Sequence, residues 1–263
     1  MIRVKQSGDL DSEGDADTAS DLKKIDIALR MLQERGGPIR LQRFTDAGIS
    51  ACVVRHLVRQ GKALNPMVGI YFPLDEYNDL YVALSGLSAR GSEYLLCLKS
   101  AAEYHGLADP EDNLLWVGVS ISRNVPPKAG VYSPFEIHWQ DVQLPQKPNP
   151  AAIAAFKGDG LTDMEATERY LGIETQFIYG EAVKLTSAAR TVVDLLLHMN
   201  RPIRRGNHVQ AISPEYAFNA LRKFAEKNDL SEVRKIADRL GGRDQIEFHL
   251  SLVERMMTAN FRW

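Results

Sequence analysis

Residues Ile39 to Phe72 read IRLQRFTDAGISACVVRHLVRQGKALNPMVGIYF, and no other stretch of the chain narrows its fold as much. A short helical pattern, about Leu41 to Ala47, stops at Gly48, a residue able to take the left-handed conformation that a tight inter-helix turn needs. Ser50 is placed to cap a second helix, roughly Ala51 to Gln60. Within it Val54, Leu57 and Val58 form an apolar stripe, while Ala51, Arg55 and Arg59 step by four along another face. Lys62 then opens a hairpin, with Ala63 and Leu64 outbound, Asn65-Pro66 near the turn and Gly69-Ile70-Tyr71-Phe72 returning. Upstream, Ile25, Ala28, Leu29 and Leu32 recur at helical spacing behind Thr18 and Ser20 as cap candidates and Asp21 in the first turn. That scaffold helix ends at Gly36-Gly37-Pro38, where two residues of high backbone entropy precede one lacking an N–H. Helix, helix, turn, helix and hairpin, in this order over residues 21–74, form the sequence pattern of a winged helix-turn-helix.

Such a module is a candidate for double-stranded DNA. A small residue followed by arginines suits a helix lying in the major groove: Ala51 permits close approach, and Arg55 or Arg59 can fork onto guanine N7 and O6 or grip a phosphate. From Asp21 to Pro73 the basic residues are Lys23, Lys24, Arg30, Arg35, Arg40, Arg43, Arg55, Arg59 and Lys62, against Asp21, Asp26, Glu34 and Asp46. The segment is locally basic inside a chain of formal charge −2, and local sign governs phosphate contacts. The candidate DNA-contacting set is Arg40, Arg43, Ser50, Ala51, Arg55, Arg59 and Lys62.

At 263 residues the chain has room for a second domain, since a winged helix needs only about 60 to 70 of them. No apolar run approaches the ~20 residues of a membrane helix, and no signal or transit pattern opens the sequence, so a cytoplasmic protein without membrane contact is expected. Cys52 and Cys97 are far apart in apolar surroundings and read as buried small hydrophobes. His56, His105, His138, His198, His208 and His249 show no ligand spacing, so no metal is expected. Asp9, Asp11, Glu13, Asp15 and Asp17 among Gly and Ser mark residues 1–20 as a disordered acidic tail.

Past Asp75 the pattern alternates. Leu80 to Ala89 reads as a helix, Tyr94 to Leu98 as a buried strand, Lys99 to His105 as a helix and Leu114 to Val119 as a second buried strand. Phe135 to Trp139 is a candidate strand between the loop punctuation of Val125-Pro126-Pro127 and of Leu144 to Pro150. Asn149 to Tyr170 is ambiguous: its Ala-rich start suits a helix, and Gly158-Asp159-Gly160 suits a turn. Thr175 to Tyr179 and Ala182 to Leu185 form a strand pair joined at Gly180-Glu181. Thr186-Ser187 caps a helix in which Arg190 and Asp194 lie four apart on one face and Val192, Val193, Leu195 and Leu196 supply the core side. Tyr216 to Asn228, Leu230 to Leu240 and Gln245 to Met257 read as helices. The expected class is α+β: an N-terminal winged helix-turn-helix, then a mixed α/β domain over residues 75–263 with a helical C-terminus.

The succession of a wing ending GIYF, then LLCLKSAAEYHGL, LLWVGV and YGEAVKLTSAARTVVDLL resembles AbiEi-family type IV antitoxins over about residues 22 to 240. Its most specific pieces are Ser100-Ala101 with His105-Gly106-Leu107 and the run from Thr186 to Asp194. The acidic tail and the stretch from Pro148 to Gly172 depart from the family pattern. The resemblance implies a protein in two parts. The winged helix would bind inverted repeats in its own promoter and repress the operon, and the second, antitoxin domain would counteract a nucleotidyltransferase toxin encoded beside it. In that family a stable complex with the toxin is not required. Ser100, His105, Arg190 and Asp194 are the motif residues of the antitoxin domain, and Arg201, Arg204 and Arg205, beside His208, are a second basic cluster that could hold DNA, the alternative being a solvated loop.

Two other classes compete. A nuclease guided by a winged helix would need carboxylates and a lysine converging on a sheet edge. The nearest set is Glu174, Glu181 and Lys184, but Glu181 and Lys184 are three apart and fall on opposite faces of a strand. Asp163, Glu165 and Glu168 read as a solvated helix start. Ser100 and His105, five apart on one helix, do not share a face as a nucleophile and base would. With no GxxxxGK or GxGxxG loop, no cofactor and no catalysis are expected. The third class is a transcription factor whose second domain senses a ligand.

Overall fold

The computed structural model describes residues 18–74, 79–91, 94–110, 114–119, 136–141, 150–157, 160–199, 203–205 and 208–259. The acidic residues up to Asp17 lie outside them, as do Val125 to Pro127, Leu144 to Asn149 and Arg201. Helix α1 (Thr18–Arg35) takes in the last three residues assigned to the tail, because Thr18 to Ser20 continue into the helical pattern of Ile25 to Leu32. It closes with Gly36, at φ +57°, donating to the Leu32 carbonyl. Strand β1 (Ile39–Arg40), α2 (Leu41–Asp46) and α3 (Ala51–Arg59) follow. Gly48 turns between the two helices at φ +75°, and Ile49 N–H returns to the Phe44 carbonyl. The Ser50 hydroxyl caps α3 by accepting from Val53 N–H. Ala28, Leu32, Phe44, Ile49, Val54, Leu57 and Tyr71 form the core, with the Phe44 and Tyr71 rings edge to face.

The hairpin is β2 (Ala63–Met67) and β3 (Ile70–Pro73), and β1 adds to it in the order β1-β3-β2. It turns at Val68-Gly69, with Gly69 at φ +80°, not at Asn65-Pro66. Register runs Ala63↔Pro73 and Leu64↔Phe72, then shifts to Met67↔Ile70. Pro66 has no N–H for a ladder position, so it and Asn65 are absorbed as an irregularity within the strand. The Asn65 amide replaces the lost bonds by donating to the Met67 and Ile70 carbonyls.

Beyond the hairpin come α4 (Asp79–Arg90), β4 (Tyr94–Leu96), α5 (Leu98–Tyr104), β5 (Leu114–Val119) and β6 (Glu136–Asp141). Next are α6 (Pro150–Phe156), α7 (Asp163–Tyr170), β7 (Ile173–Ile178), β8 (Glu181–Thr186) and α8 (Ala188–His198). The chain closes with β9 (Ile203–Arg205), β10 (His208–Gln210), α9 (Pro214–Ala225), α10 (Leu230–Arg239) and α11 (Arg243–Thr258). Five strands form a mixed sheet in the order β6-β5-β4-β8-β7, with β4 parallel to β8 and β5 parallel to β6. The β7–β8 turn is Tyr179-Gly180, both at positive φ, while Glu181 pairs with Ile178 instead of turning. A two-residue turn of this hand matches the strand twist.

One face of the sheet packs on α4, and the hairpin packs there too. Met67 and Ile70 share a core with Leu80, Leu84 and Leu87 of α4 and with Leu96, Leu115, Val117, Val183 and Leu185 of the sheet. This core crosses position 75, so the two halves bury apolar surface against each other. The opposite face carries α5 and α8, backed by α9, α10 and α11. Lying between the sheet and that outer helical layer, α8 is mostly buried, and Arg190 and Asp194 are buried with its apolar residues as a bonded pair that orders the helix.

Candidate nucleic-acid interface

Helix α3 divides as its sequence suggests. Val54 and Leu57 are fully buried and Val58 nearly so, while Arg55 and Arg59 are exposed one turn apart. Ala51 is half-buried at the start of that face and Lys62 is exposed at its end. Val53 is also buried. Cys52 is exposed, contrary to the expectation of a buried thiol, because one step from Val53 turns it away from the core stripe; Cys97 is buried. The outer face of α3 therefore reads Ala51, Cys52, Arg55 and Arg59, with His56 half-buried at its border.

The other candidate residues go elsewhere. Ser50 spends its hydroxyl on the cap. Arg43, exposed on α2, lines an open cavity with Met31, Glu34, Arg35, Ile39 and Asp46. Arg40 donates from Nε to the Ala89 carbonyl at the end of α4, which ties it to the second half. Arg204 and Arg205 lie on β9, paired with Val209 and His208 of β10, so the stretch read as a possible loop is a hairpin; Arg201 is outside the described residues.

The four motif residues of the second half do not converge on an open site. The Ser100 hydroxyl accepts from Trp116 N–H at 2.9 Å and donates to the Leu114 carbonyl, fastening α5 to β5. His105, just past the last turn of α5, places Nε2 2.7 Å from the Thr186 carbonyl, fastening that helix to β8. Arg190 donates from Nε to Asp194 at 2.8 Å and from Nη1 to the Leu171 carbonyl at 2.6 Å. These bonds tie α5 to β5 and β8, and α8 to the end of α7, and none of the four side chains is exposed.

The acidic candidates are likewise occupied separately. Glu181 pairs with Arg35 at 2.7 Å, Lys184 pairs with Glu168, and Asp163 pairs with Lys157 at 2.6 Å. Thr162 and Glu165 form a reciprocal capping box at the start of α7, and the Thr162 N–H and hydroxyl hold the Glu165 carboxyl below its ordinary value. Among the described residues no three His, Cys, Asp or Glu side chains are grouped as metal ligands, and no helix is long and apolar enough to cross a membrane.

No protein-family model and no curated protein sequence matches the chain. Among solved structures it is similar to the RV2827C protein from Mycobacterium tuberculosis, at 14% identity and a TM-score of 0.46, over 87% of this chain and 81% of that one.

Proposed function

We propose that the chain is an antitoxin of the AbiEi kind. Its winged helix binds inverted repeats in double-stranded promoter DNA and represses the operon. Its second half counteracts a nucleotidyltransferase toxin in the cytoplasm, without catalysis of its own. The observation that carries the DNA half is the α3 face, where Arg55 and Arg59 project into solvent from a helix held rigid by Val54, Leu57 and Val58. The antitoxin half rests on the resemblance of the Ser100 to Leu107 and Thr186 to Asp194 runs.

DNA binding is tested with the fragment immediately upstream of the gene. Arg55→Ala or Arg59→Ala is expected to weaken binding by ~1 to 3 kcal/mol, and the one that reads a base should also relax specificity. Gel shifts in which both variants match the wild type would remove the groove assignment. The antitoxin half is tested by co-expression with the adjacent nucleotidyltransferase gene. The full chain carrying Arg55→Ala and Arg59→Ala together is expected to lose repression and still restore growth. Failure of the folded wild-type chain to restore growth refutes it.

A further inference from the structure

The hairpin behind α3 has no charged residue from Ala63 to Pro73, so by itself it offers a phosphate no cation. Its turn is nevertheless flanked by two. Arg90, the last residue of α4, donates from Nη1 to the Val68 carbonyl at 2.9 Å. Arg40, in register with Ile70, donates from Nε to the Ala89 carbonyl. The Leu41 N–H closes the same corner by donating to the Gly69 carbonyl at 2.8 Å.

Each guanidinium spends one N–H on these carbonyls out of five donors. Among the described residues neither Arg40 nor Arg90 has an ion-pair partner. Arg40 is bound to the carbonyl of Ala89, the residue before Arg90, so both cations are tethered at the end of α4, where an anion is attracted by both. The turn itself is presented to solvent, with Val68 half exposed, while buried Met67 and Ile70 hold it against α4.

We propose that Arg90, contributed by the second half of the chain, completes the wing with Arg40, and that the pair clamps a DNA phosphate beside Val68-Gly69. This rests on the DNA-binding reading above and extends it: the footprint spans both halves, with α3 reading bases and the composite wing gripping the backbone. Backbone contacts of this kind fix register on the duplex and carry no sequence information.

The test is a salt series of fluorescence anisotropy titrations on the upstream fragment and on a random-sequence duplex. Arg90→Ala should weaken both duplexes by the same factor and lower the slope of log Kd against log salt by about one, whereas Arg90→Lys should keep the slope. Val68→Glu puts a carboxylate at the solvent-facing turn and is expected to weaken both duplexes more than Arg90→Ala, with an unchanged melting temperature. An arginine that merely tethers the two halves would lower the melting temperature and leave the slope alone. Either an unchanged slope for Arg90→Ala or wild-type binding by Val68→Glu, with Arg55→Ala still impaired, overturns the composite wing. A wild-type chain without salt-dependent binding to either duplex overturns the DNA reading itself.

Discussion

Replacing Arg190 with methionine removes a cation whose side chain is 4% exposed and strands a partner carboxylate, Asp194, that is 12% exposed. Breaking a buried ion pair from one side costs roughly 3 to 5 kcal/mol, because the remaining charge keeps its desolvation penalty and loses its compensation. The Leu171 carbonyl also loses the Nη1 donor, which adds about 1 to 3 kcal/mol if water does not reach it. Against a typical total stability of about 5 to 15 kcal/mol, the variant should be severely weakened. The double variant Arg190→Met, Asp194→Leu removes both charges and should recover most of the loss, keeping only the cost of the Leu171 carbonyl. Urea unfolding followed by circular dichroism, run as a double-mutant cycle, measures the coupling directly. A single variant within ~1 kcal/mol of wild type, or a double variant as weak as the two singles summed, would refute the buried-pair account. Under the proposed function, repression and growth rescue should fall only as far as the folded fraction does. A stable Arg190 variant that loses rescue would place Arg190 at a functional surface instead.

Three further outcomes follow from the packing. A Cβ at Gly37 would overlap the Tyr179 carbonyl oxygen, so Gly37→Ala should cost roughly 1 to 3 kcal/mol by prying α1 from the β7–β8 turn; an unchanged urea midpoint would show that the two halves do not press together there. A fragment beginning at Asp75 leaves Leu80, Leu84 and Leu87 without Met67 and Ile70, and should aggregate or bind a hydrophobic dye; a monomer melting like the whole chain would contradict a shared core. In acid, α11 should loosen. Bonds from Arg234 hold the Glu254 carboxyl below its ordinary value, and at Glu247 bonds from Arg234 and Arg243 outweigh an opposing burial effect. Depressed folded values mean that this stabilisation is full above the ordinary glutamate value and is lost as pH falls through the lowered ones. Arg234→Gln should flatten the dependence of melting temperature on pH below about 4.5, and a wild-type pH profile in that variant would count against it.

The sequence alone determined what depends on near neighbours. Gly48, Ser50 and the Val54, Leu57, Val58 stripe specify a turn, a cap and a buried face, because each acts over one helical turn or less, and the structure has all three. Arg55 and Arg59 were legible as an outer face for the same reason of period. The strand of Leu114 to Val119 and the three C-terminal helices were legible from long apolar runs or strong periodicity. At both hairpin turns the residue pattern misplaced the turn. The turn moved from Asn65-Pro66 to Val68-Gly69 because register with β3 set it, and from Gly180-Glu181 to Tyr179-Gly180 because Ile178 had to pair with Glu181.

Only the tertiary structure decided where Arg190, Asp194, Arg40 and Arg90 find their partners. Arg190 and Asp194 have the spacing of a surface pair, and they are buried because α8 lies between the sheet and the outer helices. Arg40 belongs by sequence to the winged helix, yet its Nε is bound to the end of α4. Arg90 lies fifty positions further on and carries no local signal, yet α4 delivers it to the wing. Period and capping are short-range properties of the backbone. The pairing of one element's polar groups with another's depends on the whole packed arrangement, and no window of sequence contains it.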